Sequence, residues 1–319
     1  MRMSILLCTL SKVFNLSNFN YNKEILHPKS LNAFTISTRD MNDANNKTRE
    51  NVIGAIINKK VPEDYYILRK WLHMKQNIFH YVNNLTDNTQ PYISIKCIHK
   101  AGRKNNHDFL IVLDYQDGKQ ETFMIELKFN ASTIEDTPQF VSPMKPSQYM
   151  SNSYETYFYQ NYLPKLSNIS GIPMPTEEDY LQQIHSNAPK CMIPYQNLYY
   201  RGCRGSSKFS QKEEDVRFYE LAKQLSNDSI STFIDKTDLN TELLSSYLQK
   251  SQENKIYMLY SNKSFVLQKA NMDDYVIEHV EKNANKFRYE CTSKNGKKMN
   301  VLLRWKNGNG VAFPAFQIS

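Results

Sequence analysis

The sequence lacks the long apolar runs of a membrane protein and the cysteine pattern of a disulfide-stabilised one. No apolar stretch approaches the roughly 18 residues that a membrane-spanning helix requires. The five cysteines are odd in number and widely spread, at Cys8, Cys97, Cys191, Cys203 and Cys291, so neither a disulfide framework nor a CxxC zinc site is indicated. These absences predict an intracellular, soluble protein without a membrane partner, with no preference among nucleus, cytoplasm and organelle.

Acidic residues are missing from the N-terminus. Residues 1–23 contain no Asp or Glu, and their apolar stretch at 5–7 is short. A secretory signal needs a longer apolar core and a small-residue cleavage site, whereas an organellar targeting segment, a first strand and a frayed tail all stay open. The chain up to residue 46 is rich in Asn and Ser with little periodicity, which predicts an N-terminal extension over 1–46.

Apolar and aromatic residues are plentiful, and basic residues outnumber acidic ones. Hydrophobic residues make up 40% and aromatic residues 12% of the 319, which excludes a disordered or low-complexity chain. The 40 Lys+Arg against 32 Asp+Glu give a formal charge of +8. A basic excess favours an acidic partner such as nucleic acid, provided that the charge is concentrated in one place.

The periodicity of apolar residues predicts an α/β fold. Helices are predicted from 48 and over 62–84, 154–166, 177–185, 212–225, 239–249 and 273–282. Strands are predicted over 92–99, 109–115, 122–130, 256–260, 264–268, 287–292, 298–305 and 313–318. The residues at 116–119 have the composition of a tight turn, so the strands on either side of them form an antiparallel hairpin.

This hairpin carries the residues with the clearest chemistry. Its second strand alternates apolar residues with Glu126 and Lys128, and Asp108 stands at the start of the first strand. A three-residue loop over 117–119 would set Asp108 opposite Lys128, on the face of Glu126. A two-residue loop would set it opposite Leu127, on the other face, so convergence requires a bulged loop or a bulge elsewhere. Two carboxylates and a lysine brought together suit metal-dependent hydrolysis of a phosphodiester.

Asp108 followed by Glu126-Leu127-Lys128 resembles the motif of the PD-(D/E)XK, or restriction-endonuclease-like, nuclease superfamily. The resemblance covers about a quarter of the chain, from 48 to 130, and departs from the motif where His107 replaces a proline before Asp108. It implies a restriction-endonuclease-like core and catalysis by Asp108, Glu126 and Lys128. Asp108 and Glu126 would bind Mg²⁺, for which Mn²⁺ can substitute. Glu50, on the first core helix, corresponds to the further acid of many members; a first-turn Glu stabilised by the helix dipole is the alternative.

Two basic segments are candidates for nucleic-acid contact. Residues 199–208 form a predicted loop with two glycines and three cations, and residues 282–306 contain eight cations against Glu290 alone. Their aromatic residues and one-sided charge suit a phosphate backbone. A surface turn and a lysine-protected edge hairpin are the alternatives. The predicted nucleic-acid-binding residues are Arg201, Arg204, Lys208, Arg288, Lys294, Lys297, Lys298, Arg304 and Lys306.

Together, these observations predict a nuclease core over 47–210 with a long loop-rich insertion, followed by a basic α+β portion over 211–319. The core is an α/β domain with a mixed central sheet flanked by helices. The predicted function is Mg²⁺-dependent DNA endonuclease activity of the restriction type, with DNA as the partner and a homodimer as a further candidate assembly. A structure-selective or RNA-directed nuclease such as a junction resolvase, a non-catalytic nucleic-acid-binding protein and a protein-interaction module are the alternatives.

Overall fold

The computed structural model describes residues 16–35, 42–87, 89–100, 105–137, 139–140, 145–186, 189–306 and 309–319. The chain forms two compact units, each built from two stretches of sequence. Unit 1 comprises Met1–Thr137 and Glu253–Ala270, and unit 2 comprises Pro138–Gln252 and Asn271–Ser319.

The helices in chain order are α1 (Asn42–Ile57), α2 (Arg69–Asn83), α3 (Tyr154–Asn161), α4 (Leu163–Ser170), α5 (Glu177–Gln183), α6 (Ile193–Gly202), α7 (Glu213–Lys236) and α8 (Thr241–Gln252). The strands are β1 (Phe19–Tyr21), β2 (Glu24–Leu26), β3 (Ser94–His99), β4 (Phe109–Asp114), β5 (Gln120–Phe129), β6 (Gln139–Phe140), β7 (Lys255–Ser261), β8 (Ser264–Lys269), β9 (Ile277–Asn283), β10 (Arg288–Ser293), β11 (Lys298–Trp305) and β12 (Pro314–Ile318). Among the described residues, every helix is too short or too polar to cross a bilayer.

Unit 1 is organised around a mixed five-stranded sheet in the order β3-β4-β5-β7-β8. The strands β3, β4 and β5 form an antiparallel meander, β7 runs parallel to β5, and β8 pairs antiparallel with β7. The predicted α/β class with a mixed sheet and flanking helices is therefore confirmed.

The core of unit 1 lies on one face of this sheet. Phe109, Ile111 and Leu113 of β4 are fully buried and pack with Ile53 of α1 and Ile78 of α2. The intervening side chains of β4 are only half-buried, although a near-continuous apolar run such as 109–113 is typical of a strand buried on both faces. The opposite face of β4 is therefore the one that begins with Asp108.

Residues 16–35, predicted as part of an irregular extension, belong to the core of unit 1. The strands β1 and β2 form a hairpin whose turn, Asn22-Lys23, has positive φ at both positions (47° and 65°), as a type I′ turn requires. The 3₁₀ segment Pro28–Phe34 places Leu31 and Phe34 in the core. The strands and the 3₁₀ segment here are too short to give a periodic pattern of apolar residues, which is why the sequence indicated an irregular extension. Residues 1–15 lie outside the described part of the chain.

Unit 2 contains an antiparallel sheet in the order β6-β12-β11-β10-β9, with helices α3 to α8. Buried aromatic residues form much of its interior. Trp305 of β11 packs edge-on against Phe158 of α3, with ring centroids 4.7 Å apart, and its Nε1–H donates to the Tyr154 hydroxyl at 2.7 Å. This is the α+β content that the C-terminal part of the sequence indicated.

Two local predictions for unit 2 were wrong. The helix predicted over 273–282 is the end of a 3₁₀ segment, Met272–Tyr275, followed by strand β9. Val276, Ile277 and Val280 have helical spacing, but β9 pairs with β10 as an edge strand. The predicted loop at 199–208 begins inside α6, so Arg201 lies on the last turn of a helix.

The two units also divide the chain differently from the predicted ranges. Residues 138–210, assigned to the nuclease core, belong to unit 2, and Glu253–Ala270, assigned to the C-terminal portion, return to unit 1. The cause is the pairing of β7 with β5 over six positions, from Met124↔Lys255 to Phe129↔Tyr260. Parallel pairing between segments so far apart leaves no local mark in the sequence.

Candidate active site

The register of the β4–β5 hairpin decides where Asp108 lies. The pairs Phe109↔Ile125 and Leu110↔Met124, continued by one position, set Asp108 opposite Glu126. The loop has three residues, 116–118, and is closed by hydrogen bonds from the Tyr115 N–H to the Lys119 carbonyl and from the Gly118 N–H to the Tyr115 carbonyl; Gly118 has φ of 82°. The predicted loop length was right and its position wrong by one residue. Asp108, Glu126 and Lys128 thus share one face of the sheet.

Asp108 is held by backbone groups on both neighbouring strands. Its N–H donates to the Ile125 carbonyl at 2.9 Å, and its carbonyl accepts from the Lys100 N–H at 2.8 Å. Its Oδ2 accepts from the Leu127 N–H at 2.8 Å. Burial, followed by the nearby Glu126 carboxylate, raises the pKa of Asp108 to about 7, although the Leu127 bond acts in the opposite direction.

Glu126 and Lys128 form an ion pair on the same face, with Lys128 Nζ 2.8 Å from Glu126 Oε1. Both side chains are largely buried, at 19% exposure for Lys128 and 18% for Glu126. Asp108 Oδ1 and Glu126 Oε2 make no hydrogen bond to any described residue. Each carboxylate therefore keeps one oxygen that could bind a metal ion.

Glu50 of α1 belongs to the same electrostatic cluster. Burial raises its pKa, and the Glu126 carboxylate contributes in the same direction. Glu50 in turn raises the pKa of Asp108. The fold therefore brings all four predicted catalytic residues, Glu50, Asp108, Glu126 and Lys128, into one electrostatic cluster.

Two further residues belong to this cluster: Lys255, which the sequence analysis missed, and His107, which it named only as the departure from the motif before Asp108. Lys255, the first residue of β7, lies beside Met124, two places before the pair Glu126↔Tyr257. Burial lowers its pKa, while Glu126 and Asp108 act to raise it. His107 has a buried Nε2 without a hydrogen bond to a described residue, and burial lowers its pKa. The sequence showed a lysine at the start of an apolar strand, but it did not show that this strand lies beside β5.

Most of the predicted nucleic-acid-binding residues have partners within unit 2. Arg201 donates from both Nε and Nη2 to Asp215, at 3.1 and 3.2 Å. The other pairs are Arg288 with Glu290, Lys294 with Asp273, Lys297 with Asp274, and Arg304 with Gln317. Arg204, Lys208 and Lys298 are exposed, and Lys306 is half-buried.

The basic excess is consequently not confined to the segment 282–306. Asp273 and Asp274 precede that segment in sequence but pair with its lysines in space. Counted by unit, unit 1 has 21 Lys+Arg against 15 Asp+Glu, whereas unit 2 has 19 against 17. Most of the net charge of +8 therefore belongs to the unit that carries the carboxylates.

Within the described ranges, no group of three or more His, Cys, Asp or Glu side chains is arranged to hold a metal ion by protein ligands alone. Comparison with protein-family models, curated proteins and solved structures gives no significant match to this chain.

Proposed function

We propose that this chain is a Mg²⁺-dependent DNA endonuclease that hydrolyses phosphodiester bonds, with a core of the PD-(D/E)XK type. The observation that carries the proposal is the hairpin register, which sets Asp108 opposite Glu126 and leaves Lys128 on the same face. The meander β3-β4-β5, with α1 before it and a parallel strand beyond it, supports the same proposal.

The donor set suits a hard divalent cation. Mg²⁺ in phosphoryl-transfer sites is typically bound through one or two carboxylates and completes its shell with waters and substrate oxygens. Asp108 and Glu126 provide two carboxylates, each with an oxygen free of described partners. Their proximity already raises the pKa of Asp108, and a cation between them would offset this repulsion. Mn²⁺ accepts the same ligands.

Mg²⁺ bound by Asp108 and Glu126 would supply polarisation of the phosphoryl group and would lower the pKa of a water. Lys128 supplies an ammonium beside the carboxylates, where it orients the attacking water or offsets the charge that develops on phosphorus. Its ion pair with Glu126 holds that ammonium in place. Glu50 adds a third carboxyl, whose pKa is raised by burial and by the Glu126 carboxylate; a carboxyl with a raised pKa suits general acid–base catalysis.

The test is cleavage of supercoiled plasmid by the purified protein with Mg²⁺, with Mn²⁺ and with EDTA. We expect nicked or linear product with either metal and none with EDTA. Asp108→Asn and Glu126→Gln should each lower the rate by about 100-fold or more, since each removes a charged metal ligand. Asp117→Asn, the same change in the exposed hairpin turn, is the matched control and should cleave normally.

The alternatives give different results in the same assay. Product ends at defined sequences would indicate a restriction-type enzyme, whereas cleavage confined to branched DNA or to RNA would indicate the structure-selective or RNA-directed nuclease. A non-catalytic binding protein would bind DNA in the presence of EDTA, and its Asp108→Asn variant would bind DNA equally well. Neither would cut it. Cleavage that survives both substitutions would contradict the proposed site.

A further inference from the structure

Lys255 is a cation that the predicted motif does not contain, yet it lies on the carboxylate face of the sheet. Its strand, β7, runs parallel to β5, with Lys255 beside Met124 and Tyr257 beside Glu126. Side chains at alternate positions share a face, so Lys255 and Tyr257 project on the same side as Glu126 and Lys128. The Lys255 ammonium lies 5.7 Å from the centre of the Tyr257 ring, which supports its side chain.

This ammonium has no carboxylate at ion-pair distance among the described residues. Glu126 Oε1 is already bound to Lys128 at 2.8 Å, and Asp108 Oδ2 to the Leu127 N–H. A cation that is largely withdrawn from water is stable only with an anionic partner or a shifted pKa, and burial does lower the pKa of Lys255. The arrangement therefore suits an anion that arrives from outside the chain.

The charges of the site identify the kind of anion. Glu50, Asp108 and Glu126 together carry three negative charges when ionised, which Lys128 and one divalent cation balance. Lys255 then leaves the site with a single positive charge. A phosphodiester carries one negative charge per phosphate and presents two non-bridging oxygens, so it matches this site in charge and in chemistry.

We infer that Lys255 is a substrate-contacting residue that donates a hydrogen bond to a non-bridging oxygen of the phosphodiester at the reacting position. Its role complements that of Lys128: Lys128 is tied to a carboxylate, whereas Lys255 binds the substrate. This inference deepens the proposed nuclease function and rests on it. A lysine acting as a point charge should bind any base sequence equally well.

The test compares Lys255→Met with Lys269→Met. Lys269 is an exposed lysine on the adjacent strand β8, where it pairs with Ile256 and projects on the opposite face. Binding of a 20-base-pair duplex is measured at several salt concentrations with Ca²⁺ in place of Mg²⁺, so that a hard divalent cation is present, and gel analysis checks that the bound duplex stays uncut. The slope of log affinity against log salt should fall by about 0.9 in Lys255→Met, the value for one lost phosphate contact. It should stay unchanged in Lys269→Met.

Plasmid cleavage with Mg²⁺ is measured on the same variants. We expect Lys255→Met to lose about 100-fold in rate, Lys255→Arg to retain the wild-type salt slope, and Lys269→Met to cleave normally. Lys255→Gln, which keeps a polar end group, takes the place of Lys255→Met if the latter does not fold. Suppose that the wild-type protein cleaves plasmid and that Lys255→Met cleaves equally well with an unchanged salt dependence of DNA affinity. That result would overturn the inference and leave the nuclease proposal standing.

Failure of the proposed function gives a different pattern. If the wild-type protein cuts no nucleic acid but Lys255→Met still loses one phosphate contact, the nuclease proposal fails and Lys255 stands as a phosphate-binding residue. Equal losses of affinity in Lys255→Met and Lys269→Met would show an effect of net charge alone and would overturn the inference.

Discussion

At the scale of the residue, burial of ionised carboxylates and the repulsion between them destabilise the folded protein at the proposed site. The Asp108 carboxyl is largely buried and faces Glu126, and its pKa rises from 3.8 to about 7. The folded protein therefore keeps the Asp108 proton to about pH 7, whereas the unfolded chain releases it near pH 4. Because the native state binds more protons over this interval, its stability falls as the pH rises from 4 to 7.

Asp108→Asn should accordingly stabilise the metal-free protein at high pH. Asparagine keeps an oxygen for the Leu127 N–H and carries no charge. In EDTA at pH 8 we expect the variant to exceed wild type by about 2 to 4 kcal/mol in the free energy of unfolding, at roughly 1.4 kcal/mol per pKa unit. The difference should vanish near pH 4. Denaturant unfolding at both pH values checks this, and equal stability at pH 8 would contradict the arrangement of the two carboxylates.

Arg201 and Arg204 are three residues apart but have different surroundings. Arg201 donates two hydrogen bonds to Asp215, whose side chain is 4% exposed and also accepts from the Ser210 hydroxyl. Arg204 follows the end of α6 and is exposed. An arginine committed to a buried carboxylate contributes to folding, whereas an exposed one is available to a ligand.

We therefore expect Arg201→Met to lower the free energy of unfolding by about 2 to 3 kcal/mol, because it leaves Asp215 buried without its cation. Arg204→Met should leave stability within about 0.5 kcal/mol of wild type. Thermal denaturation of the two variants makes the comparison. Equal melting temperatures would mean that Arg201 does not anchor α6 to the start of α7.

At the scale of the element, the β10–β11 ribbon shows how a segment with an excess of basic residues is neutralised by acidic partners in the fold. Lys294 and Lys297 flank the turn between these strands, and each binds an aspartate of the 3₁₀ segment Met272–Tyr275. Arg288 and Glu290 of β10 pair with each other. Much of the positive charge of the ribbon is therefore engaged in ion pairs within unit 2.

Replacing both Lys294 and Lys297 by Gln should consequently affect DNA binding little. We expect less than a threefold change in affinity for duplex DNA and a lower melting temperature, since Asp273 and Asp274 lose their cations. Lys298→Gln, an exposed neighbour without an ion pair among the described residues, is the control for net charge. A tenfold loss of affinity with unchanged stability in the double variant would instead place the ribbon on the nucleic acid.

At the scale of the whole molecule, unit 1 depends on a segment that follows most of unit 2 in the sequence. The strands β7 and β8 complete the sheet beside β5, and Ile256, Met258 and Tyr260 belong to the same core as α1 and α2. Without them, β5 would be an unpaired edge with apolar side chains exposed to water.

A chain truncated after Gln252 should therefore lose the fold of unit 1, although Glu50, Asp108, Glu126 and Lys128 all precede the cut. We expect rapid proteolysis of residues 16–137 and no metal-dependent cleavage of plasmid. Limited proteolysis and circular dichroism against the full chain provide the measurement. A truncated protein that still folds and cleaves would show that β7 is dispensable, and with it Lys255.

Local physics made part of this molecule predictable. A near-continuous apolar run defined β4, alternating apolar residues defined β5, the apolar stripe of α1 defined its core face, and Gly118 permitted the three-residue loop. Because side chains alternate along a strand, the sequence placed Glu126 and Lys128 on one face, whereas Asp108 joined them only if the loop had three residues. Short elements, such as the hairpin at 19–26, lacked enough periodicity to be recognised.

Tertiary structure alone decided the remainder. The sequence determined which side chains share a face of one strand, because that depends only on neighbouring residues, but it left open the loop length that sets Asp108 opposite Glu126. It did not determine that β7 would lie beside β5 and bring Lys255 to the carboxylates, nor that Asp273 and Asp274 would neutralise the lysines of the ribbon. Those contacts join residues distant in sequence, and their free energy comes from burial and charge pairing that exist only once the chain has folded.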